Sequence, residues 1–313
     1  MNIYRTNDAR ELEKIETEVD GAWINLVDPT MDECETIAKK FNIDLGDLRA
    51  PLDSEERSRI EFEDGYTLIL VDIPVIEVRN GKDWFETIPL GIIKTDEAII
   101  TTCLQESNVI GAFVREQIRE FYTFKKSRFI YQILYRNAQV YLGYLKTIQK
   151  KSDLVEKKLH ESTKNKELLE LLELEKSLVY FDTSLHANER VLVKLNRSDD
   201  VRKYPEDEEL LEDVIVENQQ ALEMTNIYEN VLTSTIDIYA SVIANNQNTI
   251  MKLLAIWTIV MSVPTMIFSA YGMNVETNFM PFAHANHGFW LIVIFSALIS
   301  CSLLIYFFKK KFF

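Results

Sequence analysis

Asn274 closes the sequence Tyr271-Gly272-Met273-Asn274, at the point where a long apolar run gives way to a short loop. Its side chain offers a neutral carbonyl oxygen. Mg²⁺ gives up its water reluctantly. A ring of neutral amides would therefore meet a hydrated cation through hydrogen bonds to its waters, without trapping it as a carboxylate would. The residues leading to this turn are polar for an apolar helix. Asn248, Met251, Ala255, Thr258, Ser262, Thr265 and Ser269 advance by three or four residues and share one helical face. Small hydroxyl residues on one face serve either as packing contacts between membrane helices or as the lining of a narrow hydrated pore. Pro264 removes one backbone hydrogen bond and is expected to kink or loosen this helix near Thr265.

A second constellation lies upstream. Between Lys203 and Lys252 there is neither Lys nor Arg, whereas Glu206, Asp207, Glu208, Glu209, Glu212, Asp213, Glu217, Glu223, Glu229 and Asp237 are all acidic. Glu209, Asp213 and Glu217 stack at i,i+4, a repulsion of a few tenths of a kcal/mol per pair on a bare helix. A solvated acidic face is one reading. The other is a cation-binding face, because carboxylate oxygen suits Mg²⁺ and Ca²⁺. The complete absence of bases just before an apolar span favours cations. His284 and His287 in the later loop are three residues apart and read as surface histidines, with a shared metal as the rival.

The elements that position these groups follow from charge and periodicity. A charge-free run of 23 residues separates Lys252 from Glu276, and a second separates His287 from Lys309. Each is long enough to cross a hydrocarbon core of about 30 Å. The second, Phe289 to Phe308, carries only Ser296, Ser300 and Ser302 as polar groups and reads as the lipid-facing helix. Lys309, Lys310 and Lys311 follow it directly, and Lys252 precedes the first span, so both flanks are expected in the cytoplasm and the 272–288 loop outside. The N-terminus shows no signal-peptide pattern. Two spans cannot enclose a pore, so any conduction path needs several copies around an axis.

Upstream, residues 1 to about 105 read as a mixed α/β unit. Ala22–Val27, Arg59–Phe62, Tyr66–Val78, Ile88–Lys94 and Ala98–Thr102 are strand candidates, and Asn80-Gly81 signals a hairpin. Thr30 with Glu33 forms a capping-box pattern for a helix through Phe41. Beyond, apolar residues recur at helical spacing, which predicts long helices over 107–162 and 166–197 as a hairpin within 106–205. Pro205 is placed to start the next helix. It is expected to run unbroken from about 206 to 271, as a stalk over 206–252 and then the first span. The membrane region is 253–313, with spans at about 253–271 and 289–308. The predicted class is an α+β cytoplasmic domain with long helices and a two-helix C-terminal transmembrane region.

Composition narrows the function. The chain has 34 bases and 49 acids, a net charge of −15. The part from Met251 onward holds four bases and one acid, so the remainder carries a net −18. Such a surface repels nucleic acid and attracts cations. Cys34, Cys103 and Cys301 are scattered, which fits a reduced compartment and gives no metal-ligand spacing. No phosphate-cradling glycine loop and no nucleophile–His–acid set is present, which argues against an enzyme.

The Tyr271–Asn274 motif at the end of the penultimate span, with a lysine cluster after the last, closely resembles the CorA family of magnesium transporters. Trp23-Ile24-Asn25, Asp28-Pro29 and Arg59-Ile60-Glu61-Phe62 are similar to that family's N-terminal domain. The resemblance implies a homopentameric funnel that takes up Mg²⁺ across the cell membrane, with Mg²⁺ both transported and regulatory. It implies Asn274 as an extracellular selectivity ring within Tyr271, Gly272, Met273 and Asn274. It implies Asn248, Met251, Leu254 and Thr265 as pore-lining positions, beside Thr258 and Ser262 of the polar face. Asp237 would form a carboxylate ring at the cytoplasmic mouth, Lys309–Lys311 a basic ring, and Asp213 one half of an inter-subunit sensing site near Glu209 and Glu217. This chain departs from the pattern in three places. Arg49-Ala50 stands where the family's sensing site has an acidic pair, with Asp53 one turn on as the substitute. The loop reads Met280-Pro281-Phe282-Ala283 and lacks the family's glutamate, leaving Glu276 as its only acid. Ser262 replaces a methionine and leaves that level less constricted. A zinc or cobalt transporter of the same family and a non-conducting membrane-anchored scaffold are the alternatives.

Overall fold

A computed structural model describes the chain outside residues 8–10, 18, 80, 162–164, 199–204, 276–279, 283–284 and 311–313. It divides into two compact units, Met1–Ile236 and Asp237–Phe313.

The first unit is built on a seven-stranded sheet in the order β2-β1-β3-β7-β6-β5-β4. The strands are β1 (Asn2–Thr6), β2 (Leu12–Ile15), β3 (Ala22–Val27), β4 (Arg59–Glu63), β5 (Tyr66–Arg79), β6 (Lys82–Thr95) and β7 (Ala98–Cys103). Among the described residues, β3 and β7 pair in parallel and the other neighbouring strands pair antiparallel. Alternation along the strands sends side chains to two cores. Ile24, Leu68, Leu70, Ile93 and Ile100 pack with Ile37 and Leu48 of α1 (Met31–Phe41) and α2 (Leu45–Arg49). Trp23, Ile69, Val71, Ile73, Ile92 and Ile99 pack against α3 (Asn108–Val114), α4 (Lys126–Glu161) and α5 (Asn165–Arg197). Thr30 and Glu33 form the expected capping box at the start of α1.

The strand expectations hold for β3, β4, β5 and β7. β6 starts earlier, at Lys82 rather than Ile88, because its outer half pairs with β5 as a two-stranded ribbon to Arg79↔Lys82. Gly81 supplies the positive φ that the tight turn requires; Asn80 lies outside the described residues. β2, at the sheet edge, and its neighbour β1 are only four and five residues long, too short to show a clear alternation, and α2 is too short to show a period. The helix predicted over 107–162 is broken. α3 ends at Val114, and α4 begins only at Lys126. The intervening loop folds Phe121 back into contact with Phe113 and Phe129, and all three surround the buried Trp23 with ring centroids 5.2–6.4 Å from its own. Burying this aromatic group outweighs the positive φ that Glu116 and Glu120 adopt to allow it.

Asp72 ties α4 and α5 to the sheet. β4 pairs with β5 only as far as Leu70, and opposite Asp72 on β6 stands Pro89, which has no N–H. The strand backbone is therefore short of partners at Asp72. The Asn188 side chain replaces them, donating to the Asp72 carbonyl at 2.8 Å and accepting from its N–H at 2.8 Å. Asn137 and Tyr141 donate to the same carbonyl at 2.9 and 3.1 Å. Burial pushes the Asp72 carboxyl up, against the opposing effect of hydroxyls from Ser184 and Ser58. Burial and the Asp72 charge push the Tyr141 phenol well up.

The helix α6 (Pro205–Tyr271) is unbroken, as expected, and the boundary between the units falls within it. The second unit consists of its C-terminal part and α7 (Gly288–Lys309). Both α6 and α7 are long and apolar enough to cross a membrane.

Candidate functional site

Within the second unit, α6 has two opposite faces. At 100° per residue, Ile256 and Val260 lie on the side facing away from Met251, Leu254, Thr258, Ser262 and Thr265. Ile256 and Val260 are only 5% and 4% exposed, whereas Met251 and Leu254 are 70% and 61% exposed. Asn248, Thr258, Ser262, Thr265 and Ser269 are exposed too. The buried face packs on α7, where Ser296 is buried and Ser300 reaches α6. Among the described residues the Ser296 hydroxyl has no hydrogen-bond partner. The expected stripe is thus one continuous face, and it is not the face that packs the two helices of one chain together.

Three hydroxyls of the stripe donate their hydrogens to their own helix. Thr258 Oγ1 bonds the Leu254 carbonyl at 2.8 Å, Ser262 Oγ that of Ile259 at 2.8 Å, and Thr265 Oγ1 that of Met261 at 2.9 Å. With the hydrogen engaged, each oxygen is left as an acceptor. A row of acceptors suits the water shell of a cation, whose hydrogens point outward. Pro264 lies inside α6 and frees the Val260 carbonyl four residues back. Ser300 Oγ of α7 approaches that carbonyl at 3.5 Å.

At the end of α6 the motif unwinds. The Gly272 N–H bonds the carbonyls of Phe268 and Ser269 at 2.9 and 3.1 Å, and the Met273 N–H that of Ala270 at 3.4 Å. Asn274 is exposed. The Tyr271 hydroxyl donates to the Pro281 carbonyl at 2.7 Å, a contact that no sequence signal marked. Glu276 and His284 lie outside the described residues; His287 precedes α7 and makes no side-chain cap. Lys309 ends α7, and Lys310 follows it with its ammonium 5.4 Å from the Tyr306 ring centroid; Lys311 lies outside the described residues.

The acidic positions are spread out. Glu209, Asp213 and Asp237 are exposed on α6, and Glu217 is half-buried with the Tyr135 hydroxyl 3.5 Å from its Oε1. Asp207 is buried instead of lining a solvated face. The Glu229 carboxyl is pushed up by burial and by the neighbouring Asp182 and Glu175. Asp53 follows the 3-10 turn Ala50–Leu52 and is exposed, with Oδ1 accepting from the Glu55 N–H at 3.0 Å. Among the described residues, no three His, Cys, Asp or Glu side chains of one chain converge to hold a metal.

The family model described as "CorA-like Mg2+ transporter protein" matches residues 19–310. The chain belongs to the CorA-like Mg²⁺ transporter family. The cobalt/magnesium transport protein CorA of Methanocaldococcus jannaschii is 30% identical over 298 residues, covering 92% of this chain and 90% of that protein. The complete structure of the CorA magnesium transporter from the same organism covers 100% of this chain and 98% of its own, with a TM-score of 0.83 and 27% identity. The full-length CmaX protein, at 14% identity and a TM-score of 0.71 over 97% of both chains, shares the fold. This CorA-like chain accordingly has the predicted architecture, a soluble α/β domain with long helices and two apolar C-terminal helices. Its family is one of divalent-cation transporters and of membrane proteins.

Proposed function

We propose that this chain assembles as a homo-oligomer, a pentamer, that conducts Mg²⁺ into the cell through a pore lined by Asn248, Met251, Leu254, Thr258, Ser262 and Thr265 of α6. The observation that carries this reading is the exposed acceptor face of α6, opposite the face that packs on α7. A plain anchor needs no such face. The helix pair of one chain leaves it uncovered, and copies around an axis would turn it inward. Asn274, in the Tyr271–Asn274 turn, forms the selectivity ring at the outer end, Asp237 a carboxylate ring at the cytoplasmic mouth, and Lys309–Lys311 a basic ring beside it. Both termini lie in the cytoplasm. The membrane potential supplies about 2.3 kcal/mol per charge per 100 mV, so a divalent ion needs no pump. Asp213, with Glu209, Glu217 and Asp53, binds regulatory Mg²⁺ between subunits, a reading that rests on the base-free acidic stretch of α6. Co²⁺ is the second cargo, a reading favoured by the name of the archaeal relative, a cobalt/magnesium transport protein.

The test is Mg²⁺ uptake into proteoliposomes with an internal indicator dye, comparing the natural chain with Asn274→Ala. The natural chain is expected to carry Mg²⁺ and the variant to lose flux or selectivity. An absence of flux in a folded, oligomeric preparation would overturn the reading.

A further inference from the structure

Pro264 leaves one carbonyl of α6 without its helical partner. Position 264 has no N–H to offer, so the Val260 carbonyl lacks the bond that a regular helix would give it. In a hydrocarbon core no water replaces that bond, and the available donors are hydroxyls of the same or a neighbouring helix. The carbonyls on either side each take one from α6 itself. Ser262 Oγ donates to Ile259 at 2.8 Å, and Thr265 Oγ1 to Met261 at 2.9 Å. Val260 lies on the opposite, buried face, and its carbonyl is met from α7 by Ser300 Oγ at 3.5 Å. Three consecutive carbonyls thus each face a hydroxyl, and the central one draws its hydroxyl from the other helix. Ser296 stands one turn before Ser300 on the same face of α7. It is 1% exposed, and among the described residues its hydroxyl has no hydrogen-bond partner.

A helix that lacks one backbone bond at a proline can bend there. Ser262 and Thr265, two members of the exposed stripe, flank Pro264 in the same helix, so the angle taken at Pro264 decides where their oxygens stand. We infer that Ser300 of α7 is a positioning residue for the pore. By holding the Val260 carbonyl it fixes the angle of α6 at Pro264, and with it the placement of Ser262 and Thr265 along the conduction path. Ser296, equally buried on the same face but bonded to nothing, lacks this role. The inference rests on the reading of the α6 stripe as the pore lining.

The experiment measures Mg²⁺ uptake per assembled oligomer by the full chain in proteoliposomes, for the natural sequence, Ser300→Ala, Ser300→Thr, Ser296→Ala, Pro264→Ala and the double variant Pro264→Ala/Ser300→Ala. Ser300→Ala is expected to lower uptake by roughly threefold, the equivalent of a typical hydrogen bond between membrane helices. Ser300→Thr keeps the donor and is expected to restore it. Ser296→Ala is expected to leave uptake unchanged. With Pro264→Ala the Val260 carbonyl regains a backbone N–H, so adding Ser300→Ala is expected to have no further effect. The same fall with and without the proline would overturn the inference, as would an equal fall in Ser296→Ala, which would mark a general loss of packing between the helices. Should Pro264→Ala not conduct, the Tm values of the same proteins carry the test: non-additive losses support the contact, and additive ones overturn it. No uptake by the natural chain would overturn the pore reading and the inference with it. Uptake that Ser300→Ala leaves unaltered would overturn the inference alone.

Discussion

Asp72 shows how a residue's role can depend on what the fold fails to supply. The end of β4 and the proline at position 89 leave its backbone to side chains from α4 and α5, and the carboxyl is left half-buried. A carboxyl held above its ordinary value of about 3.9 binds its proton more tightly in the folded state than in the unfolded state. Stability from this group is therefore present below the unfolded value and lost as pH rises towards the folded value. Asp72→Asn keeps every backbone contact of Asp72. We expect it to flatten the fall in Tm between about pH 4 and neutrality and to raise Tm at pH 7; parallel Tm profiles for the two proteins would contradict this. Nothing local in the sequence marks Asp72, since its environment comes from residues 14 to 116 positions away. Thr30 and Glu33 are the opposite case. Their hydrogen bonds span three residues, and the spacing alone predicts them.

At the scale of elements, period and alternation place β3, β4, β5, β7, α1 and the whole of α6. They do not reveal the break between α3 and α4. No glycine or proline marks positions 115–125, and the apolar spacing reads through. The turn is imposed by Phe113, Phe121 and Phe129 closing around Trp23, which is a long-range demand. Gly91 is another hidden requirement. A Cβ there would lie 2.3 Å from Pro51 Cγ, so β6 and the 3-10 turn approach only because the side chain is absent. Gly91→Ala is expected to destabilise the protein by about 1–3 kcal/mol. Denaturant unfolding in detergent measures this, and an unchanged midpoint would refute the contact. The polar stripe of α6 was legible because its period survives inside an apolar run. Its exposure was not, because it depends on where α7 packs. The Tyr271–Pro281 contact was equally hidden, since a hydroxyl-to-carbonyl contact ten residues apart leaves no pattern in the sequence.

At the scale of the whole molecule, the proposed pore needs several copies of the chain. The base-free acidic stretch of α6 repels itself, and a divalent cation between subunits would relieve that repulsion. Asp213→Ala is expected to abolish the dependence of protease resistance on Mg²⁺ concentration; an unchanged Mg²⁺ titration would remove Asp213 from regulation. The central claim is that one face of α6 lines the conduction path, and cysteine scanning tests it most directly. Cys34 is buried and the Cys103 thiol is pushed up to about 12 by burial, so only the exposed Cys301 must be replaced to give a silent background. Single cysteines at Met251, Leu254, Thr258, Ser262 and Thr265, and at Ile256 and Val260, would then be treated with a thiol-reactive cation during Mg²⁺ uptake. The account predicts block at the first five positions and none at the last two. Block at Ile256 and Val260, or no difference between the faces, would contradict it.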